Sequence, residues 1–338
     1  MNNLLASNAV QARFHVVHET RYGYRSPVTL SQQYLHMTPR DFLYQRTESH
    51  EVWLDPAEGS GIDGTDFFGN KTRNITLTAP HQTLTVHAES TVALAQRPGT
   101  AGFATTPPWE SLRDKLQHGA DAGLLDACRY LYESPHVACS HDLAQYARVS
   151  YTRSRPLLEA ALDLTQRIFD EFEFDSAATD ISTPLVQVFN SRKGVCQDFA
   201  QLMIGCLRSI GMAARYVSGY ILTHPPAGQA RLIGADASHA WVSVFCPSYG
   251  WVDFDPTNRC LVQHQHITLG WGRDFSDVTP LRGVVLGGGK QKLEVRVTVA
   301  PLAFNDMALD DQAPLSQSAL ATDQQKGRKP LTLGLGSN

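Results

Sequence analysis

The fold is decided by the stretch Gly194-Val195-Cys196-Gln197-Asp198-Phe199-Ala200-Gln201-Leu202-Met203, which places a cysteine in the first turn of a predicted helix. Apolar residues recur at helical spacing as far as Ile210, and Gly211 ends the helix. A helix start offers unpaired backbone N–H groups and the positive end of the helix dipole, which favour a thiolate and can hold an oxyanion. We therefore interpret Cys196 as a nucleophile, although a lone cysteine is more often a small buried residue.

Size and composition exclude several classes of protein. The chain has 338 residues, of which 42% are hydrophobic and 18% charged, so it is large enough for two globular domains and a tail. A formal net charge of -4 gives no attraction to nucleic acid or to an anionic membrane surface. No basic, apolar leader and no run of membrane-spanning length is evident, so we expect a cytoplasmic protein without nucleic-acid or membrane partners.

The cysteines favour neither a disulfide framework nor a zinc site. There are six of them, and no two form a CxxC pair. In a reducing compartment all six are expected to be thiols. We expect no metal and no cofactor.

The chain divides into regions of different periodicity. Residues 13–96 show strand-like alternation, as in Thr83-Leu84-Thr85-Val86-His87-Ala88, broken by turns such as Ser26-Pro27. This pattern predicts several short strands in an antiparallel, sandwich-like domain. The remaining predicted regions are a disordered N-terminus (1–12), a linker (97–105), a mixed core (106–262), a C-terminal β segment (263–304) and a disordered tail (305–338).

The core region begins with helical periodicity. A helix is predicted to start at Thr106-Pro107, because proline is favoured at the first helical position. Further helices are predicted from Leu124 to Tyr132, Asp142 to Tyr146, Leu157 to Phe172 and Thr183-Pro184 to Phe189. Strands follow the cysteine helix, so the predicted class is α+β, with that helix packed on an antiparallel sheet.

Two of these strands carry further candidate residues. One runs from His239 to Phe245 and the next from Trp251 to Asp255, joined by a turn, which predicts an antiparallel hairpin. If Phe245 pairs with Trp251, His239 becomes the diagonal neighbour of Asp255 on the same face. A carboxylate there could orient the imidazole.

Cys196, His239 and Asp255 therefore form a candidate catalytic triad. A thiolate needs a proton acceptor, and the acceptor needs a carboxylate that fixes its tautomer. Asp253 shares the face of Asp255 and is a weaker candidate for the third role. Asn190 and Gln197 could stabilise an oxyanion, although such amides more often make local hydrogen bonds. His264-Gln265-His266 lacks a third metal ligand and is expected to face solvent.

These motifs resemble the transglutaminase-like superfamily. The motifs that carry the resemblance are Gly194-Val195-Cys196, His239-Ala240-Trp241 and Trp251-Val252-Asp253-Phe254-Asp255-Pro256-Thr257, in that order. The resemblance covers about residues 150–260. It implies a cysteine-protease-like core with Cys196 as nucleophile, His239 as general base and acid, and Asp255 as the orienting carboxylate.

A wider resemblance, over about residues 13–302, is to bacterial transglutaminase-like proteins with a β-rich N-terminal region. His18-Glu19-Thr20-Arg21-Tyr22-Gly23-Tyr24 and Asp66-Phe67-Phe68-Gly69-Asn70 are among the segments that fit it. The plain papain arrangement fits less well, because Cys196 and His239 are much closer in sequence than the roughly 130–150 residues of papain-type chains.

The chain differs from the animal calcium-dependent transglutaminases in having Gln197, where they have an aromatic residue, and in lacking a calcium-loop pattern. The resemblance thus implies a protein or peptide substrate, and leaves open hydrolysis of an amide bond or transfer to an amine acceptor. The alternative from another class is a non-enzymatic binding module, in which the β-rich region recognises a partner and the core serves as scaffold.

Overall fold

A computed structural model describes residues 10–57, 60–118, 122–223 and 237–303, and these form two antiparallel sheets, a parallel pair of short strands and a group of helices. The strands are β1 (Val10–Leu35), β2 (Gln45–Asp55), β3 (Ser60–Thr65), β4 (Lys71–Leu77), β5 (His81–Ala95), β6 (Glu173–Phe174), β7 (Lys193–Gly194), β8 (Ala214–Ile221), β9 (Ala237–Cys246), β10 (Gly250–Asp255), β11 (Cys260–Leu261), β12 (His266–Gly272), β13 (Leu281–Gly287) and β14 (Gln291–Pro301). The α-helices are α1 (Trp109–His118), α2 (Leu125–Cys128), α3 (His141–Ser150), α4 (Leu157–Glu171), α5 (Leu185–Ser191) and α6 (Cys196–Ser209). The α+β class is confirmed.

The N-terminal sheet is built around one long strand, where several short strands were predicted. Strand β1 is 26 residues long and contains the Ser26-Pro27 turn signal. The pairing register shifts between Gly23 and Val28, so the proline lies at an irregularity where it interrupts no regular ladder. Before this point β1 pairs with β5 and β14, and after it with β4 and β13. Both halves enclose one apolar cluster, which includes Leu84 and Ile75.

The ends of the described chain refine the predicted boundaries. Strand β1 begins at Val10, because Val10 and Ala12 pair with the end of β5, so residues 10–12 are ordered where disorder was predicted. The C-terminal β segment is divided between the two sheets: β12 joins the core sheet, whereas β13 and β14 join the N-terminal one. The predicted disorder of residues 1–9 and of the tail lies outside the described residues.

The core sheet has the order β11-β10-β9-β8-β12, and α6 packs across β8 and β9. Gly211 has a φ of +80°, which a glycine adopts without strain at the end of α6. Three polar residues of α6, Asp198, Gln201 and Arg208, are also buried. Arg208, for example, donates to the carbonyl oxygens of Tyr130, Tyr132, Ala214 and Arg273. Helix α6 is therefore the central element of the core.

The other helices follow the predictions with shifted ends. Helix α1 begins at Trp109, after two prolines, and the helix predicted at Leu124 is only the short α2 preceded by a 3₁₀ turn. Helix α3 extends to Ser150, and the Ser140 side chain caps its start. Helix α4 matches its prediction closely. No helix in the described part of the chain is both long and apolar enough to cross a membrane.

The predicted linker is packed against the core. Residues Thr100–Thr105 form a 3₁₀ turn whose Phe103 lies in the main apolar cluster. Just before it, the buried Arg97 guanidinium donates to the Asp253 carboxylate of β10 over 2.6 Å. Burial alone would raise the pKa of Asp253, but the charges of Arg97 and Arg215 outweigh it and lower that pKa. An ion pair thus connects the linker to the hairpin that carries the candidate site.

The N-terminal sheet also binds the core sheet directly. The Gln45 side chain exchanges two hydrogen bonds of 2.7 Å with the backbone of Thr268 in β12. The Asn70 amide does the same with the backbone of Trp271, over 2.9 and 3.0 Å. In each case a side-chain amide takes the place of a neighbouring strand along β12.

We predict that replacing Arg97 by Met lowers the free energy of unfolding by about 3–5 kcal/mol, because it leaves the buried Asp253 carboxylate without its closest cation. Urea denaturation at neutral pH measures the loss. The control is Lys71→Met, which removes an ion pair whose partners are about half exposed and should cost no more than about 1 kcal/mol. Equal effects of the two substitutions would contradict a structural role for the buried pair.

Candidate active site

Cys196 is the first residue of α6, as predicted, and its neighbours fix the start of that helix. The backbone N–H of Val195 donates to Oδ2 of Asp198 over 2.8 Å, and the Thr179 hydroxyl donates to the same oxygen over 2.6 Å. Gly194 leaves room for this carboxylate, since a Cβ at Gly194 would lie 2.8 Å from the Asp198 side chain. Burial raises the pKa of Asp198. The half-buried thiol of Cys196 therefore lies at a well-supported helix start.

His239 and Asp255 meet as the predicted register requires. Phe245 pairs with Trp251 in the β9–β10 ladder, and His239 Nε2 lies 2.7 Å from Asp255 Oδ2. Nε2 faces the carboxylate, so Nδ1 is the ring nitrogen available to the Cys196 thiol, whose proximity also raises the pKa of His239. The three predicted site residues are thus brought together in the order Cys196, His239, Asp255.

The charges of the site support an ionised carboxylate and a protonated imidazole. Burial lowers the pKa of His239, but the Asp255 carboxylate and the contact with Cys196 outweigh it and raise the pKa to about 10. Burial would raise the pKa of Asp255, yet His239 and His266 hold it far below its usual range. An imidazolium at neutral pH is the partner that a catalytic thiolate needs.

Two residues of this site were not assigned to it from the sequence. His266 Nε2 lies 2.9 Å from Asp255 Oδ2, and the Asn258 side-chain amide donates to the same oxygen over 2.7 Å. The backbone N–H groups of Thr257 and Asn258 donate to Oδ1 over 2.9 and 3.2 Å. The carboxylate therefore has hydrogen-bond donors on both oxygens.

The prediction that His264 and His266 face solvent is right for His264 and wrong for His266, which is only 3% exposed. The reason is that β12, whose pairing the predicted C-terminal β segment (263–304) did not specify, pairs with β8 and turns His266 towards Asp255. The apolar residues Ile267 and Leu269 were the available signal for a buried strand. Asn258 lies three residues after Asp255, where an amide can reach back to the carboxylate.

Asp253, the rival for the third role, has a different function in the structure. Its Oδ2 accepts hydrogen bonds from Arg97 and from the indole N–H of Trp241, the latter over 3.3 Å. Trp241 is fully buried and lies beside His239 with 6.1 Å between ring centroids. Of the two proposed oxyanion amides, Asn190 is exposed and Gln197 is half-buried next to Cys196. The unpaired N–H groups at the start of α6 are the better-placed donors.

The residues around Asp255 also include potential metal ligands. Nε2 of His239, Nε2 of His266 and a carboxylate oxygen of Asp255 lie within 4.8 Å of one another, a set that suits a divalent transition metal. The contacts of 2.7 and 2.9 Å to one oxygen are those of hydrogen bonds, and the Asn258 amide donates to the same oxygen. The present arrangement is that of a hydrogen-bonded carboxylate.

We predict that iodoacetamide near neutral pH modifies Cys196 faster than Cys206 or Cys260. Burial raises the pKa of the Cys260 thiol to about 12 and that of Cys206 further still, whereas Cys196 is half-buried and lies near the His239 imidazole, whose pKa it raises. Peptide mapping by mass spectrometry measures the individual rates. His239→Gln should slow the modification of Cys196 at least tenfold while leaving Cys128 unaffected; equal rates at Cys196 with and without His239 would argue against an activated thiol.

Comparisons with known proteins match both regions of the chain. Residues 144–256 match the Transglutaminase-like superfamily, and residues 14–93 match the Bacterial transglutaminase-like N-terminal region. An uncharacterized protein of Mycobacterium tuberculosis is 39% identical over 297 residues, which cover 86% of this chain and 93% of the relative. A protein-glutamine gamma-glutamyltransferase of Pseudomonas aeruginosa is 39% identical over only 71 residues, 21% of this chain and 11% of that enzyme.

Among solved structures, a putative cysteine protease from Cytophaga hutchinsonii has the same fold. It superimposes with a TM-score of 0.67 at 19% sequence identity, covering 89% of this chain and 94% of that one. This likeness shows the fold. The long match to the mycobacterial relative and the two family matches show the family. The chain belongs to the transglutaminase-like superfamily, with the bacterial N-terminal region preceding its core.

Proposed function

We propose that this protein is a cysteine enzyme that acts on a peptide or carboxamide bond through an acyl-thioester on Cys196. The observation that carries the proposal is the position of His239, which is bonded to the Asp255 carboxylate over 2.7 Å and lies near enough to Cys196 for that group to raise its pKa. A nucleophile, a general base and an orienting carboxylate in contact are the minimum apparatus of covalent acyl transfer.

Each residue has one chemical task in this mechanism. The Cys196 sulfur attacks the substrate carbonyl carbon, and the N–H groups at the start of α6 stabilise the oxyanion that forms. His239 Nδ1–H then protonates the leaving amine as the C–N bond breaks, which leaves an acyl-thioester and a neutral imidazole. Asp255 holds the ring through Nε2 and stabilises its charged form.

The second half of the reaction decides the class of the enzyme. A water molecule or an amine gives a proton to His239 as it attacks the thioester, and the C–S bond breaks to restore the thiolate. Attack by water makes the protein a peptidase or amidase, and attack by an amine makes it an acyltransferase. The relative named a glutamyltransferase matches only a fifth of this chain, so we propose both outcomes as alternatives for the same intermediate.

The test is to incubate the protein with a labelled primary amine and a pool of glutamine-containing proteins, and to score both amine incorporation and new peptide termini. Either product should appear with the wild type. We predict that Cys196→Ala lowers the rate by about 10³-fold or more, and that His239→Gln and Asp255→Asn each lower it by at least about 10²-fold.

Cys128→Ala is the matched control, because this half-buried cysteine lies in α2, outside the site, and its removal should leave the rate unchanged. Comparing Cys196→Ala with Cys128→Ala also distinguishes an enzyme from a non-enzymatic binding module. A product that forms equally with Cys196→Ala, or no product with any substrate while Cys196→Ala leaves partner binding intact, would overturn the proposed function.

A further inference from the structure

We propose that His266 is a positioning residue of the active site: as a neutral imidazole it donates its Nε2–H to Asp255 and holds that carboxylate in the orientation in which it meets His239. The inference rests on the proposed function, since it concerns the same catalytic group. It assigns a role to a second histidine that takes no part in proton transfer to the substrate.

The first argument is the geometry of the carboxylate. Oδ2 of Asp255 receives His239 Nε2 over 2.7 Å, His266 Nε2 over 2.9 Å and the Asn258 amide over 2.7 Å. Oδ1 is held by two backbone N–H groups. Rotation of the carboxylate would break hydrogen bonds on both oxygens. Among the donors, His266 comes from β12, which lies at the opposite end of the core sheet from the hairpin that carries Asp255. His266 therefore fixes Asp255 from a direction that its own hairpin cannot supply.

The second argument concerns the tautomer of His266. Its Nδ1 is buried and has no hydrogen-bond partner within the described part of the chain, so a proton on Nδ1 would be buried and unpaired. A single proton on Nε2, shared with Asp255, satisfies the ring at the lowest cost. Burial lowers the pKa of His266, in agreement with a neutral ring.

The ring is also fixed in its orientation. His266 packs edge-on against the fully buried Trp241, with 5.2 Å between centroids, and the Trp241 indole in turn donates to Asp253. Trp241 also lies beside His239. One rigid indole thus supports both histidines that share the Asp255 carboxylate.

A neutral second histidine has an electrostatic consequence. The charges that act on His239 are those of Asp255 and Cys196, and those that act on His266 are Asp255, His239 and Arg97. His266 disperses part of the negative charge of Asp255 without adding a competing positive charge. Its removal should concentrate that charge on His239 and raise the pKa of the His239 imidazole.

The test is an NMR titration of ¹⁵N-histidine-labelled protein. In the wild type we expect His266 to be the neutral Nε2–H tautomer at pH 7. Its ring resonances are assigned as those that are missing from the spectrum of His266→Gln. His266→Phe keeps the bulk of the ring but removes the donor, and should raise the pKa of His239 by about half a pH unit. His266→Gln, whose amide can donate from a similar position, should bring the pKa of His239 most of the way back to its wild-type value.

A charged His266 or an Nδ1–H tautomer in the wild type would overturn the proposal without any substitution. So would a His239 pKa that is unchanged or lowered in a His266→Phe protein that unfolds cooperatively. A purely structural histidine would alter the melting temperature but leave the titration of His239 in place. The proposed function is tested separately by the rate at which Cys196 is alkylated in the wild type. Slow alkylation would contradict the proposed function without changing the result for the His266 tautomer.

Discussion

The active site depends on one buried carboxylate. Asp255 is completely inaccessible to solvent, and an unpaired charge in that position would cost several kcal/mol. Five hydrogen bonds, one of them from the His239 imidazolium, compensate that cost. The same contacts that keep Asp255 ionised also direct it at His239, so the stability of the core and the orientation of the proposed base have a single origin.

The N-terminal sheet has a structural connection to this carboxylate. Arg97 follows β5 directly and neutralises Asp253, which lies two residues from Asp255 on the same strand. Gln45 and Asn70 bind the backbone of β12, the strand that carries His266. The two elements that supply donors and charge to the site are therefore held by residues of the N-terminal sheet and of the linker that follows it. This arrangement gives a physical reason for the two regions to occur in one chain.

Local patterns were sufficient to predict the part of the site that lies on neighbouring elements. The start of α6 follows from the glycine and the helical spacing after Cys196, and the hairpin register follows from period-two alternation and a short turn. His266 could not be placed in this way, because alternation says which residues share a face but not which face is buried. Its strand pairs with β8, which lies far away in sequence. The length of β1 was missed for a related reason: Ser26-Pro27 is accommodated by a change of pairing partners, which only the tertiary structure determines.

The central claim is that Cys196 carries an acyl group during the reaction. The most direct measurement is to mix the protein with an activated acyl ester such as a p-nitrophenyl ester, quench with acid within the first turnover, and locate the adduct by mass spectrometry. One acyl group per chain on the peptide containing Cys196, absent in Cys196→Ala, is the predicted result. An acyl group on another residue, or equal labelling of the Cys196→Ala protein, would contradict it.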